Sequence, residues 1–136
     1  MMQYLDSESV QALVNYRLQR AKETLCEADS LIEDSYYNAA VNRLYYACYY
    51  AVNALLVQNG ISPSTHSGAK TMFGMHFIVT GKIANKYSQF YSQLFNDRIS
   101  GDYDDFLRYD KEMIDEVRPM AEEFIEVLAK EIEKSK

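Results

Sequence analysis

Arg43 is the one charged side chain between positions 35 and 60, and it stands among four tyrosines, Tyr45, Tyr46, Tyr49 and Tyr50. A guanidinium in so apolar a stretch needs a counter-charge, because an isolated buried charge is costly. Two arrangements meet that need. A carboxylate from another helix neutralises it, or the arginine captures an anion: its fork fits phosphate bidentately, and a low-dielectric cleft strengthens the contact. His66, with Thr65 beside it and Lys70 one turn later, is a second candidate; at a helix start it either faces an anion or serves as a capping and packing residue. His76 keeps step with Phe73 and Phe77, so it is expected in the core. Arg98 and Asp102, four apart, predict a local ion pair, with the alternative that Asp102 or Tyr103 reaches back to orient Arg43. Cys26 and Cys48 fall inside helical patterns without further ligands, which predicts neither a zinc site nor a disulfide and favours a reducing compartment.

Helical periodicity supplies the frame for these residues. From Val10, apolar positions recur through Leu13, Val14, Leu18, Ala21, Leu25, Ala28, Leu31 and Ile32, opposite a face carrying Arg17, Arg20, Lys22, Glu23 and Glu27. Asp6 or Ser7 is placed to cap this helix. A second helix follows at once over 35–60, capped by Asp34 or Ser35 and antiparallel to the first. Asn59 and Gly60 end it, and 61–65 form a loop around Pro63. A shorter third helix is predicted over 67–80, closed by Gly81. A fourth covers 83–99 with Tyr87, Phe90, Tyr91, Leu94 and Phe95 on one stripe, stopped by Ser100 and Gly101. Residues 102–109 read as an acidic, aromatic turn. The last helix, 110–134, has Met113, Val117, Met120, Phe124, Leu128 and Ile132 as its buried stripe, and the stripe crosses Pro119 in phase, as a kink would allow. The expectation is one all-α domain, 1–136: an up-and-down bundle of four long helices plus one short one.

Unrolled, the second helix has two faces. Val41, Leu44, Cys48, Val52 and Leu55 form the natural core side, flanked by Tyr37 and Tyr45. Tyr36, Ala39, Ala40, Arg43, Tyr46, Ala47, Tyr50, Ala54 and Val57 occupy the other, where a surface helix would carry Glu and Lys. A helix apolar all round is covered on both sides, by other helices or by a second subunit. Small residues and tyrosines suit an interface, so a homodimer contact with Arg43 lining a cleft is expected.

A net charge of −6 over 136 residues argues against a generic nucleic-acid binder and against DNA, while leaving room for a local basic site. The acidic run Asp102, Asp104, Asp105, Asp110, Glu112, Asp115 and Glu116 reads as a solvated loop and helix face. No signal peptide or membrane span is apparent, so a cytoplasmic chain without membrane contact is expected.

The string Asn42-Arg43-Leu44-Tyr45-Tyr46-Ala47-Cys48-Tyr49-Tyr50 resembles the helix of HEPN-domain proteins, in the small bacterial and archaeal group. Thr65-His66-Ser67-Gly68 and Arg98-Ile99-Ser100-Gly101-Asp102-Tyr103 agree with the same pattern, in the right order. The resemblance implies a dimerising helical bundle, often encoded beside a minimal nucleotidyltransferase. It also implies kinship with metal-independent RNases, several of them toxins of toxin–antitoxin pairs. Their signature is an Arg, four to six residues, then a His on the same helix, with two such pairs meeting across the dimer to cut RNA by 2′-hydroxyl attack. Histidine moves the proton and arginine stabilises the charge on phosphorus. Arg43 matches the motif arginine; the position that would hold histidine is Tyr50, about 10 Å along the axis on the same face. A phenol with an ordinary pKa near 10 shuttles protons poorly at neutral pH. The implied function is a dimeric module that binds RNA, a nucleotide or a nucleotidyltransferase partner through a degenerate RNase site. Arg43, Tyr50 and, from outside the motif, His66 are its catalytic candidates; Asn42, Tyr46, Arg98, Asp102 and Tyr103 are its binding candidates. No cofactor or metal is expected. The alternatives are an active RNase toxin, and a scaffold in which Arg43 neutralises a carboxylate.

Overall fold

The computed structural model describes residues 6–103 and 109–136, with side chains described outside 99–103. The chain is all-α: α1 (Ser7–Glu33), α2 (Tyr37–Gln58), α3 (His66–Phe73) continued by a π turn (Gly74–Ile78), α4 (Asn85–Tyr103) and α5 (Lys111–Lys134). The four long helices and one short one match the expected bundle.

Local chemistry explains most boundaries. Asp6 caps α1 by accepting from the Ser9 amide at 2.7 Å, and Asp110 caps α5 through the Met113 amide at 2.9 Å. The expected Asp34 or Ser35 cap of α2 is not made: Tyr36 holds that position with no side-chain cap. Ser35 instead ends α1. It takes a left-handed φ of 64°, its amide bonds to the Ile32 carbonyl, and the Tyr36 amide reaches back to Leu31. That is the helix-terminating arrangement usually given to glycine. Gly60, at φ 77°, does the same for α2, with Gly60 N–H to Val57 and Ile61 N–H to Leu56.

Two further boundaries depart from expectation. The predicted helix over 67–80 changes character at Gly74, and the wider winding of the π turn rotates His76 out to solvent while Phe77 stays buried. His76 is therefore an exposed residue, not a core one. Ser100 and Gly101 do not stop α4, which runs on to Tyr103; a glycine weakens a helix by only about 1 kcal/mol. Helix α5 is unbroken at Pro119, and Met113 is partly exposed, its place in the stripe taken by Ile114.

Helix α2 is the axis of the molecule, touching α1, α3, α4 and α5. Its antiparallel pairing with α1 is visible in three cross-links, Gln11 to Gln58, Arg20 to Tyr50 and Glu27 to Arg43, in which one number falls as the other rises. On the far side, Arg118 of α5 donates twice to Asp29 of α1, both at 2.8 Å. Residues 51–57 of α2 are buried without exception. Ala40, Ala47, Ala54 and Val57, expected on an interface, are already buried within the single chain. Small side chains there permit the close approach of two helices.

Candidate functional site

The N-terminal half of α2 is wetter than the rest. Arg43 is half-buried, its Cζ 5.4 Å from the centre of the Tyr46 ring. Its Nε lies 3.6 Å from Glu27 Oε1, too long for a hydrogen bond, and that buried nitrogen has no hydrogen-bond partner. Arg98 of α4 reaches the same tyrosine. Its Nη1 donates to the Tyr46 hydroxyl at 3.1 Å, and its Cζ sits 4.8 Å from the Tyr45 ring centre and 5.7 Å from that of Tyr46. The Arg98 Nε is likewise buried and without a partner.

The two arginines, with Asn38, Ala39, Asn42, Asp97 and Tyr109, line a cavity of about 280 Å³. Tyr109, just before α5, closes one side: its amide donates to Asn38 Oδ1 at 2.9 Å and its hydroxyl to the Asp97 carbonyl at 2.9 Å. Burial pushes that phenol up to about 12, so it stays a neutral donor. Two guanidinium groups facing one space repel unless an anion sits between them. The lining carboxylate, Asp97, accepts from Gln93 at 2.8 Å, and Glu27 approaches Arg43 from α1. Guanidinium forks with unused donors beside a tyrosine ring are suited to a phosphate carrying a planar base.

His66 opens α3, which Thr65 caps by accepting from the Gly68 amide at 2.8 Å. A Cβ on Gly68 would lie 2.9 Å from that same hydroxyl, so a side chain in fourth place of the Thr-His-Ser-Gly run would displace the cap. The turn aims His66 at α2. Its Nδ1 is 2.7 Å from the Tyr45 hydroxyl, its ring stacks on Tyr49 at 4.0 Å, and it stands edge-on to Tyr46 with centres 5.7 Å apart. Burial, and then the nearby Arg98 charge, lower the histidine's pKa, which keeps it neutral at pH 7. Burial also pushes the Tyr45 phenol up to about 12.

Arg43, Asn42 and Arg98 thus share one cavity; Tyr46 touches both arginines and His66, but neither it nor His66 lines that cavity. Tyr50 is turned elsewhere: Arg20 of α1 lies 5.4 Å from its ring centre, and it does not line the cavity. The side chains of Asp102 and Tyr103, and so the expected pair with Arg98, lie outside the described residues. Glu27, Asn38, Tyr45, Tyr49, Asp97 and Tyr109 were not singled out as site residues from the sequence. Tyr45 and Tyr49 carried a signal, being one turn apart on Arg43's helix. The others come from packing between elements, which no local pattern encodes. Among the described residues no three His, Cys, Asp or Glu side chains are grouped to hold a metal. No described helix is long and apolar enough to cross a membrane.

The family model described as HEPN domain matches residues 14–132. A Thermotoga maritima protein named "UPF0332 protein" is 36% identical over 121 residues, covering 89% of this chain and 92% of its own. Two Methanocaldococcus jannaschii proteins are similar. "Putative toxin MJ0142" is 33% identical across 70% of this chain and 65% of its own, and "Putative toxin MJ0605" is 35% identical across 71% and 69%.

Proposed function

The chain belongs to the HEPN domain family, and from that premise we propose that it is a single-domain RNA-binding module whose phosphate site is the cavity between Arg43 and Arg98. One observation carries the reading: two guanidinium groups, each with a buried Nε lacking a partner, face one cavity beside the same tyrosine ring. An RNA phosphate supplies the missing negative charge and bonds to the guanidinium donors that line the cavity. The overall charge of −6 then confines binding to this site, since the rest of the surface repels the strand.

The module acts as a homodimer. Supporting this, Tyr36 is 62% exposed and Ala39 is open on the α2 face that carries Arg43. Size exclusion with light scattering is expected to give twice the chain mass at micromolar concentration; a monomer refutes the dimer. The names of the two M. jannaschii relatives support a toxin-like role in a paired system, with a minimal nucleotidyltransferase as partner.

Binding of a fluorescein-labelled single-stranded oligoribonucleotide in EDTA, followed by anisotropy, tests the phosphate site. Arg43→Met keeps the stem's packing and removes the fork. Losing one charge-assisted contact is expected to weaken binding by about tenfold or more. A folded Arg43→Met protein that binds as wild type would instead favour the scaffold reading, in which the arginine only neutralises Glu27.

A further inference from the structure

We infer that the groove lined by Tyr36 and Tyr109 is a base-binding subsite, in which a nucleobase stacks while the phosphate of the same nucleotide lies at Arg43 and Arg98. The inference rests on the phosphate-site reading above. Beside the arginine cavity is a second one of about 470 Å³, lined by Ser35, Tyr36, Tyr37, Asn38, Ala39 and Tyr109. Asn38, Ala39 and Tyr109 line both, so the two adjoin along one wall, with guanidinium groups on one side and phenol rings on the other. The aromatic cavity falls within the roughly 300–1,000 Å³ of small-molecule sites.

Local backbone chemistry presents the Tyr36 ring. After the left-handed turn at Ser35, the Tyr36 amide donates to the Leu31 carbonyl at 2.8 Å, and its carbonyl accepts from the Ala40 amide at 2.9 Å. The backbone is held from both sides while the residue stays 62% exposed. A single exposed tyrosine is ordinary. This one lines a cavity together with a second, fixed phenol. Tyr109 is buried and anchored at both ends, its amide to Asn38 and its hydroxyl to the Asp97 carbonyl. A ring already anchored loses little freedom when a base packs on it.

Charge sets the direction in which a nucleotide lies. Every side chain lining the aromatic cavity is uncharged, and Glu33 and Asp34, both exposed, immediately precede Ser35. Phosphate is repelled from that end and drawn to the arginines, whereas a neutral base is not. Tyr36 and Arg43 are seven positions apart, about 10 Å along the axis and on one face, a span that one nucleotide covers from phosphate to base. Stacking accepts the face of any base, so the subsite adds affinity rather than sequence choice.

The test measures anisotropy on the full chain in EDTA with two fluorescein-labelled oligoribonucleotides of equal length and charge, one of adenylates and one of abasic residues. Wild type is expected to bind the adenylate strand about fivefold or more tightly than the abasic one. Tyr36→Ala should lose that preference, bind the abasic strand as wild type does, and keep the wild-type salt slope. Tyr36→Phe keeps the ring and should restore adenylate binding to within about twofold. Arg43→Met should weaken both strands alike. Equal wild-type affinity for the two strands overturns the subsite and leaves the phosphate site standing. So does wild-type adenylate binding by Tyr36→Ala, shown folded by circular dichroism, or a salt slope that falls with the ring. The homodimer proposed above uses the same face, so light scattering is run on each variant. A Tyr36→Ala protein that turns monomeric overturns the subsite by making Tyr36 a subunit contact. Absence of binding to either strand by wild type removes the phosphate site, and the inference with it.

Discussion

Helix α2 holds two different environments on one continuous backbone. Its C-terminal half, residues 51–57, is buried on every side; the one polar side chain there, Asn53, donates to the Tyr49 carbonyl at 3.2 Å. Its N-terminal half carries Asn38, Ala39, Asn42 and Arg43 on the wall of a cavity, with Tyr46 against both arginines and α1 and α4 supplying further charge. The dry half is stabilised by removal of apolar surface from water. At the wet half the Nε atoms of Arg43 and Arg98 are buried without a partner, an arrangement that apolar side chains would avoid. One helix thus anchors the fold at one end and presents chemistry at the other.

Substitutions in the two halves should dissociate stability from binding. The largest effect is expected from Leu55→Ala in the dry half. Leu55 is fully buried, so the cavity left behind should destabilise the chain by about 2–5 kcal/mol in a urea titration, with RNA affinity of the folded fraction unchanged. Arg43→Met in the wet half should do the reverse, keeping stability within about 1 kcal/mol while losing binding; equal loss of both would erase the distinction. Tyr46→Phe removes the hydroxyl that accepts from Arg98 but keeps the ring, and should weaken RNA binding by a few-fold, about 1 kcal/mol. The smallest effect lies at the hinge between α1 and α2. Ser35→Gly relieves a left-handed φ of 64° and should raise the urea midpoint by up to about 1 kcal/mol equivalent; a drop would mean the serine hydroxyl matters more than the backbone.

The same division governs what could be read from the sequence. The dry half follows a 3.6-residue period, and the five helices with most of their apolar stripes are legible from that alone. Arg43 was legible because it breaks the pattern, and His66 because it follows a loop. Ser35 misled because serine before a helix reads as an N-cap, whereas here it completes the end of the preceding one. His76 misled because a π turn is invisible to an α-helical wheel. The approach of Glu27 to Arg43, the reach of Arg98 to Tyr46 and the closure of the cavity by Tyr109 depend on how α1, α4 and the start of α5 sit against α2. Such contacts join residues up to 71 positions apart, and spacing along the chain does not reveal them.

Salt dependence tests the phosphate site most directly. For single-stranded RNA, the logarithm of the binding constant should fall linearly with the logarithm of salt concentration, by about 0.7 for each phosphate neutralised. Wild type and folded Arg43→Met should therefore give parallel experiments with different slopes, the variant's shallower by about 0.7. An unchanged slope, with folding intact, would mean that Arg43 holds no phosphate.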